Sequence, residues 1–308
     1  MKRRVLVKSA LALAVVTIAG AAVLATRPDV RNDLSYRINS DHIAGPDITS
    51  EVPTIPPSVP SPVRIAAAGD VGTGEDAELR TAAAMDRLES GFEYAALLLL
   101  GDNVYPNGDP AQLQRAVFDP FAAVLDGDTR LLPVLGNHDV RDGNGDAHAA
   151  AIGMPGRWYA TVIGDVLILS LDSTRPDDQA QLTWLETTLA ESTSTWTIAT
   201  MHHPPYSGGY HGSSLEVREA FTPLFERYGV QLVLAGHDHD YQRSEPLGGV
   251  TYVVSGGAAN LRPANRADFT EVAWSTYHFV DLVVWPDRME IRAIDQNGDV
   301  FDSVTLQP

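Results

Sequence analysis

The chain has 308 residues, no cysteine and a formal charge of −18, with 40 acidic against 22 basic side chains. Without thiols it has neither a disulfide to brace it in an oxidising compartment nor a soft thiolate to hold a metal. So acidic a surface repels polyanions, which argues against nucleic acid as a partner.

Residues 1–26 (MKRRVLVKSALALAVVTIAGAAVLAT) hold four basic and no acidic groups, an apolar stretch from Ala10 to Ala25 and a small-x-Ala pattern at Val23-Leu24-Ala25. This reads as a secretory signal peptide or an uncleaved membrane anchor, and the stretch is short for a spanning helix, which favours cleavage. Either places the protein outside the cytoplasm, secreted or attached to the membrane at the cell surface. The run Arg3-Arg4-Val5-Leu6-Val7-Lys8 also resembles a twin-arginine signal. Residues 27–62 contain seven prolines and little apolar periodicity, as an extended tether would.

Residues 63–308 suffice for one α/β domain with a large core. The expected elements follow in chain order: strand 63–68, helix 76–90, strand 95–100, helix 110–125, strands 131–135, 157–163 and 166–171, helix 178–190, strand 196–201, helix 214–228 and strand 230–235. The tail adds strands at 250–255, 276–284, 288–294 and 299–305. Strands that alternate with helices and then give way to a nearly all-strand tail imply two sheets packed face to face with helices outside.

Five short blocks sit at the ends of five of these strands: GDVG (69–72), GDNVY (101–105), GNHD (136–139), MHHP (201–204) and GHDH (236–239). The C-terminal edge of an α/β sheet is where such folds present their ligands. A lone Gly-Asp or Gly-Asn is a turn; five blocks in order, each closing a buried strand, form one constellation. They supply Asp70, Asp102, Tyr105, Asn137, His202, His237 and His239, all hard or borderline donors. One ion needs three or four of these, whereas two ions sharing a bridging carboxylate use them all, so the pattern points to a dinuclear metal site.

The order of the blocks resembles the calcineurin-like metallophosphatase superfamily and, within it, the purple acid phosphatases, over residues 63–308. The resemblance implies a four-layer α/β/β/α sandwich in the short form, with no room for an additional β-domain before the first block. Most members carry Asp-x-His in that block, but here it reads Asp70-Val71-Gly72. Tyr105, three residues after Asp102, is the mark of the purple acid phosphatases. Carried over position by position, the resemblance puts Asp70, Tyr105 and His239 on Fe(III). It puts Asn137, His202 and His237 on a divalent Fe, Zn or Mn, with Asp102 bridging.

The resemblance also assigns His138 and His211, the latter nine residues after His202, to phosphate binding and to protonation of the leaving group. Asp139 is expected to buttress His138. His203 is left open between lining the pocket and filling space. His42 in the tether, His148 in a Gly/Asp/Ala loop and His278 in a late strand match no block, so solvent exposure or structure is expected to account for them. The implied activity is hydrolysis of phosphate monoesters in mild acid. The alternatives are a phosphodiesterase or nucleotidase of the same superfamily, and a non-catalytic surface protein that binds metal or phosphate.

Overall fold

The computed structural model of the protein describes residues 62–89 and 92–308. The segments read from the sequence as a signal or anchor and as a tether, His42 included, lie outside the described residues apart from Pro62.

The described strands form two sheets. The first joins the parallel β1 (Val63–Ala68), β2 (Ala96–Leu99) and β3 (Arg130–Pro133) to the antiparallel β11 (His278–Val284), β12 (Met289–Asp295) and β13 (Val300–Leu306), in the order β13-β12-β11-β1-β2-β3. The second is built on parallel β5 (Val166–Ser170), β6 (Trp196–Met201), β7 (Leu232–Ala235) and β9 (Thr251–Ser255). To these it adds β4 (Tyr159–Ile163), β8 (Tyr241–Ser244) and β10 (Thr270–Trp274), in the order β10-β8-β9-β7-β6-β5-β4. The four α-helices among the described residues are α1 (Asp76–Glu89), α2 (Gly145–Ile152), α3 (Gln179–Glu191) and α4 (Leu215–Tyr228).

Alternation along the strands divides the apolar residues between two cores. Val166 and Ile168 of β5 join Ile65, Leu97 and Phe279 of the other sheet in a core that also takes Ala82 and Met85 of α1. Leu167 and Leu169 point the opposite way, to Leu185 and Leu189 of α3 and to Val217, Phe221 and Phe225 of α4. The layers therefore run α/β/β/α. Both outer helices have caps: the Asp178 carboxylate accepts from Ala180 N–H and Gln181 N–H ahead of α3, and Ser214 accepts from Val217 N–H ahead of α4.

Two expectations need correction. Residues 110–125 do not form an α-helix but a 3-10 turn, Pro110–Gln112, followed by a π-helical Gln114–Phe118; Pro120, which has no N–H to donate, stands just beyond. The Gly/Asp/Ala segment expected to be a loop contains α2, which buries His148 completely. Strands β8 and β10 had no counterpart among the expected elements.

Candidate metal centre

All seven donors come together where the C-terminal ends of β1, β2, β3, β6 and β7 meet. The backbone there is unusual. Asp70, Asp102 and His237 have φ values of 58°, 52° and 73°, three of the four non-glycine residues with positive φ among those described. L-residues are held in this region only where the surrounding structure over-determines them, which is common at functional sites. The glycines that precede them permit close approach: a Cβ on Gly101 would lie 2.7 Å from His202 Nδ1, and one on Gly236 2.6 Å from Asp70 Oδ2.

The side chains form two groups. In the first, Tyr105 OH donates to Asp70 Oδ1 at 3.2 Å and lies 3.3 Å from His239 Nε2, which is itself 3.4 Å from Asp70 Oδ1. In the second, His202 Nε2 is 3.0 Å from Asn137 Oδ1 and 3.1 Å from His237 Nδ1. Asp102 stands between them: its Oδ1 is 3.5 Å from His202 Nε2, and the Tyr105 phenol of the first group is close enough to oppose the rise that burial gives its carboxyl. Main-chain N–H groups hold both carboxylates, His237 N–H on Asp70 Oδ2 at 2.7 Å and His138 N–H on Asp102 Oδ1 at 2.8 Å.

The chemistry of this donor set fits cations. His202 Nδ1 donates to the Leu100 carbonyl at 2.9 Å, so its Nε2 carries a lone pair. That lone pair faces Asn137 Oδ1 and Asp102 Oδ1, a meeting of acceptors that a cation would satisfy. Burial drives the carboxyls, the phenol and the imidazoles of His202 and His237 toward their neutral forms, while Asp70 holds His239 above its ordinary value against the same burial. It raises Asp70 to about 6 and raises Asp102 as well. Burial together with the neighbouring imidazoles pushes His202 and His237 far below the usual histidine value. Burial and the two carboxylates push the Tyr105 phenol upward, so only a cation would draw the phenolate out. Oxygen ligands from Asp and Tyr suit a hard ion, and the imidazole-rich second group a borderline one.

The structure also accounts for the missing histidine of the first block. Any Cβ on Gly72 would run into the backbone of Asn103 and Val104, because the loop that carries Tyr105 lies against it, with Gly72 N–H donating to Asp102 O at 3.2 Å and Tyr105 N–H to Gly72 O at 2.9 Å. The bare Gly72 is what lets the Tyr105 loop sit there.

Of the histidines beyond the seven donors, His138 donates Nδ1–H to the Pro106 carbonyl at 2.7 Å and turns Nε2 toward Asp102, 3.9 Å from Oδ2. The His211 ring tilts against His237 with centroids 4.3 Å apart. Its loop is anchored from beneath: Asp238 accepts His211 N–H at 2.7 Å and the Ser207 hydroxyl. His203, left open by the sequence, joins the cluster, packing 4.9 Å from His202 and 4.6 Å from His237, with Nδ1 3.0 Å from Ser173 Oγ.

Asp139 does not buttress His138. Its carboxylate points into the protein, accepts N–H groups of Asn103, Val104 and Gly136 and the Asn103 side-chain amide, and lies 3.5 Å from His148 Nε2. A buried carboxylate needs several donors, and the turning backbones of the second and third blocks supply them where the exposed side of His138 cannot.

Residues 63–241, more than half of the chain, match the family model described as calcineurin-like phosphoesterase. The chain belongs to this family. It is 27% identical to human tartrate-resistant acid phosphatase type 5 over 261 residues, 70% of this chain and 78% of that protein. It is 28% identical to purple acid phosphatase 4 of Arabidopsis thaliana over 256 residues, 70% and 74% of the two. An uncharacterised protein of Mycobacterium tuberculosis is 29% identical over 187 residues, 48% of this chain but only about a third (34%) of that relative's length. The fold is shared with a purple acid phosphatase from yellow lupin seeds, at a TM-score of 0.70 and 20% identity over 80% of this chain and 54% of that one. The chain is thus a metallophosphoesterase related to the purple and tartrate-resistant acid phosphatases, with Asp and His groups disposed to hold metal.

Proposed function

We propose that the protein hydrolyses phosphate monoesters outside the cytoplasm, as an acid phosphatase with Fe(III) in one position and a divalent Fe, Zn or Mn in the other. The observation that carries this reading is the division of the donors into two groups joined by Asp102, with a tyrosine in the first. Asp70, Tyr105 and His239 would hold the trivalent ion, and Asn137, His202 and His237 the divalent one. When bound, the two cations supply Lewis acidity, drawing charge from the phosphoryl oxygens and acidifying water.

The chain's own residues do the rest. Leu100 fixes the His202 tautomer, so that its lone pair is always on the side of the cluster. His138 is locked by Pro106 with Nε2 toward the cluster, where the doubly protonated ring would donate to a phosphoryl oxygen. His211 stands against His237 on a loop tethered by Asp238, placed to protonate the departing ester oxygen. The basic and apolar start of the sequence supports export.

The deciding experiment combines metal analysis and visible absorption of protein purified without chelator with a panel of monoesters and diesters. Iron plus one divalent metal, a charge-transfer band that Tyr105→Phe removes, and faster turnover of monoesters are expected. A colourless, zinc-only protein with full activity would overturn the iron assignment, and preferential cleavage of diesters the substrate class.

A further inference from the structure

Glu78, in the first turn of α1, is a fully buried carboxyl whose two oxygens are treated unequally. Oε2 accepts three hydrogen bonds, from Thr73 N–H at 3.0 Å, from the Thr73 hydroxyl at 3.0 Å and from Gly74 N–H at 2.6 Å. Oε1 is shielded from solvent and has no partner among the described residues. A buried carboxyl with an idle oxygen costs stability. Thr73 and Gly74 are only half-buried, so water would serve their donors, and the fold alone does not call for Glu78.

The turn that Glu78 grips bears the first group of donors. Asp70 stands at its start with φ of 58°. At its middle, Gly72 N–H donates to Asp102 O at 3.2 Å, and Tyr105 N–H donates to Gly72 O at 2.9 Å. At its end, Gly74 has φ of 63° and lies against Arg115 of the π-helical segment, where a Cβ would come within 2.8 Å of both the Arg115 carbonyl oxygen and Nη1. Both glycines are needed for these close approaches, and both leave the backbone free to move. Three hydrogen bonds to one oxygen on the first turn of a helix take that freedom away. Burial raises the Glu78 carboxyl to about 8, against its three hydrogen bonds and the field of Arg115, so in mild acid it is neutral and acts through its acceptor oxygen rather than through charge.

We propose that Glu78 is a positioning residue of the metal centre: it pins the turn that carries Asp70 and supports the Tyr105 loop, and thereby fixes the 3.2 Å approach of the Tyr105 phenol to the Asp70 carboxylate. The inference rests on the reading of Asp70 and Tyr105 as ligands of one ion. The route is short and continuous, from Glu78 Oε2 to the amides of Thr73 and Gly74, one residue back to Gly72, and from the Gly72 carbonyl to Tyr105 N–H. Slack at Gly72 passes directly to the Tyr105 backbone, and a displacement of about 1 Å is enough to degrade a positioned site.

The test compares the full-length protein with its Glu78→Ala, Glu78→Asp and Glu78→Gln variants. Amide hydrogen exchange of the metal-free proteins, read by mass spectrometry over residues 70–78 and 101–107, is paired with the visible spectrum of the iron-loaded ones. Glu78→Ala and Glu78→Asp, the second one methylene short of the turn, should speed exchange over 101–107 at least about tenfold, leave β7 as protected as in the wild type, and shift or weaken the band that depends on Tyr105. Glu78→Gln, which keeps the acceptor oxygen in place, should retain both the protection and the band. Faster exchange confined to 73–78, or a Gln variant that loses as much as the Ala variant, would overturn the proposal. Should Glu78→Ala unfold the protein as a whole, exchange in β7 would rise too, and Glu78→Asp then decides. If the iron-loaded wild type shows no Tyr105 band, the iron reading fails, and exchange in the metal-free protein still decides whether Glu78 holds the loop.

Discussion

Asp139 is fully buried and takes three backbone N–H groups and one side-chain amide from the two loops that carry Asp102, Tyr105, Asn137 and His138. Burial raises its carboxyl to about 6, with His148 pulling the other way. Removing it would leave several buried donors unpaired, at about 1–3 kcal/mol each. Asp139→Ala should therefore cost about 3 kcal/mol or more in denaturant unfolding and lower the metal content. A residue that only oriented His138 would change kinetics and leave stability alone, so unchanged unfolding would refute the structural role. The donor set itself was legible residue by residue, because ligand type and strand-end position are both local properties. The partners of Asp139 were not, since Asn103 lies 36 positions earlier and only folding brings the two together.

The legible strands are the buried ones at the level of whole elements, since parallel strands covered on both faces read as continuous apolar runs. β8 (YQRS) is short and mostly polar, β10 (TEVAW) is short and opens on Thr and Glu, and a register irregularity interrupts the pair they form. α2 is eight residues of which half are alanine, with no side-chain cap to announce it. Arg64 hid a further feature inside the otherwise apolar run of β1. Its Nε donates to Asp281 Oδ1 of β11 at 2.8 Å, and its Nη1 donates to the carbonyls of Leu88 and Phe92 at 2.8 and 2.7 Å. Arg292 of β12 pairs with the other oxygen of Asp281. One carboxylate therefore pairs with two buried guanidiniums and ties three adjacent strands and the end of α1 together. Asp281→Ala, which leaves both cations without a counter-ion, should destabilise the protein by about 3–5 kcal/mol. Replacing Asp281 together with both arginines by apolar residues should recover much of that loss, and thermal unfolding of the single and triple variants measures the difference.

Between the sheets the same question of buried charge is settled by neutrality, and His278 decides it. It opens β11 in the first sheet, donates Nδ1–H to the Thr276 carbonyl at 2.8 Å and accepts at Nε2 from the Ser255 hydroxyl of β9 in the second, at 3.0 Å. Tyr241 of the second sheet and Phe301 of the first pack edge-on to its ring. Complete burial lowers its pKa to about 4, from an ordinary value of 6.5. Between these values the unfolded chain binds a proton that the native protein does not, so stability rises with pH across this window and is lost as pH falls from 6.5 toward 4. The full span corresponds to about 3 kcal/mol for this one group. The carboxyls of Asp70 and Asp139, raised to about 6, act in the opposite sense between their ordinary value of 3.8 and 6, because there the native state holds the extra proton. The wild-type curve is thus a sum, and the difference between two proteins isolates one contributor. His278→Gln has no titrating group at the joint between the sheets. Its unfolding free energy, measured against denaturant at intervals from pH 4 to 7, should gain relative to wild type by about one proton's worth, roughly 1.4 kcal/mol per pH unit, as the solution is acidified below 6.5. Parallel curves for the two proteins would mean that His278 is already charged in the native state or neutral in both. The window coincides with the mild acid in which the proposed phosphatase would work, so this joint is one of the contributors to how far the pH can fall before the native state is lost.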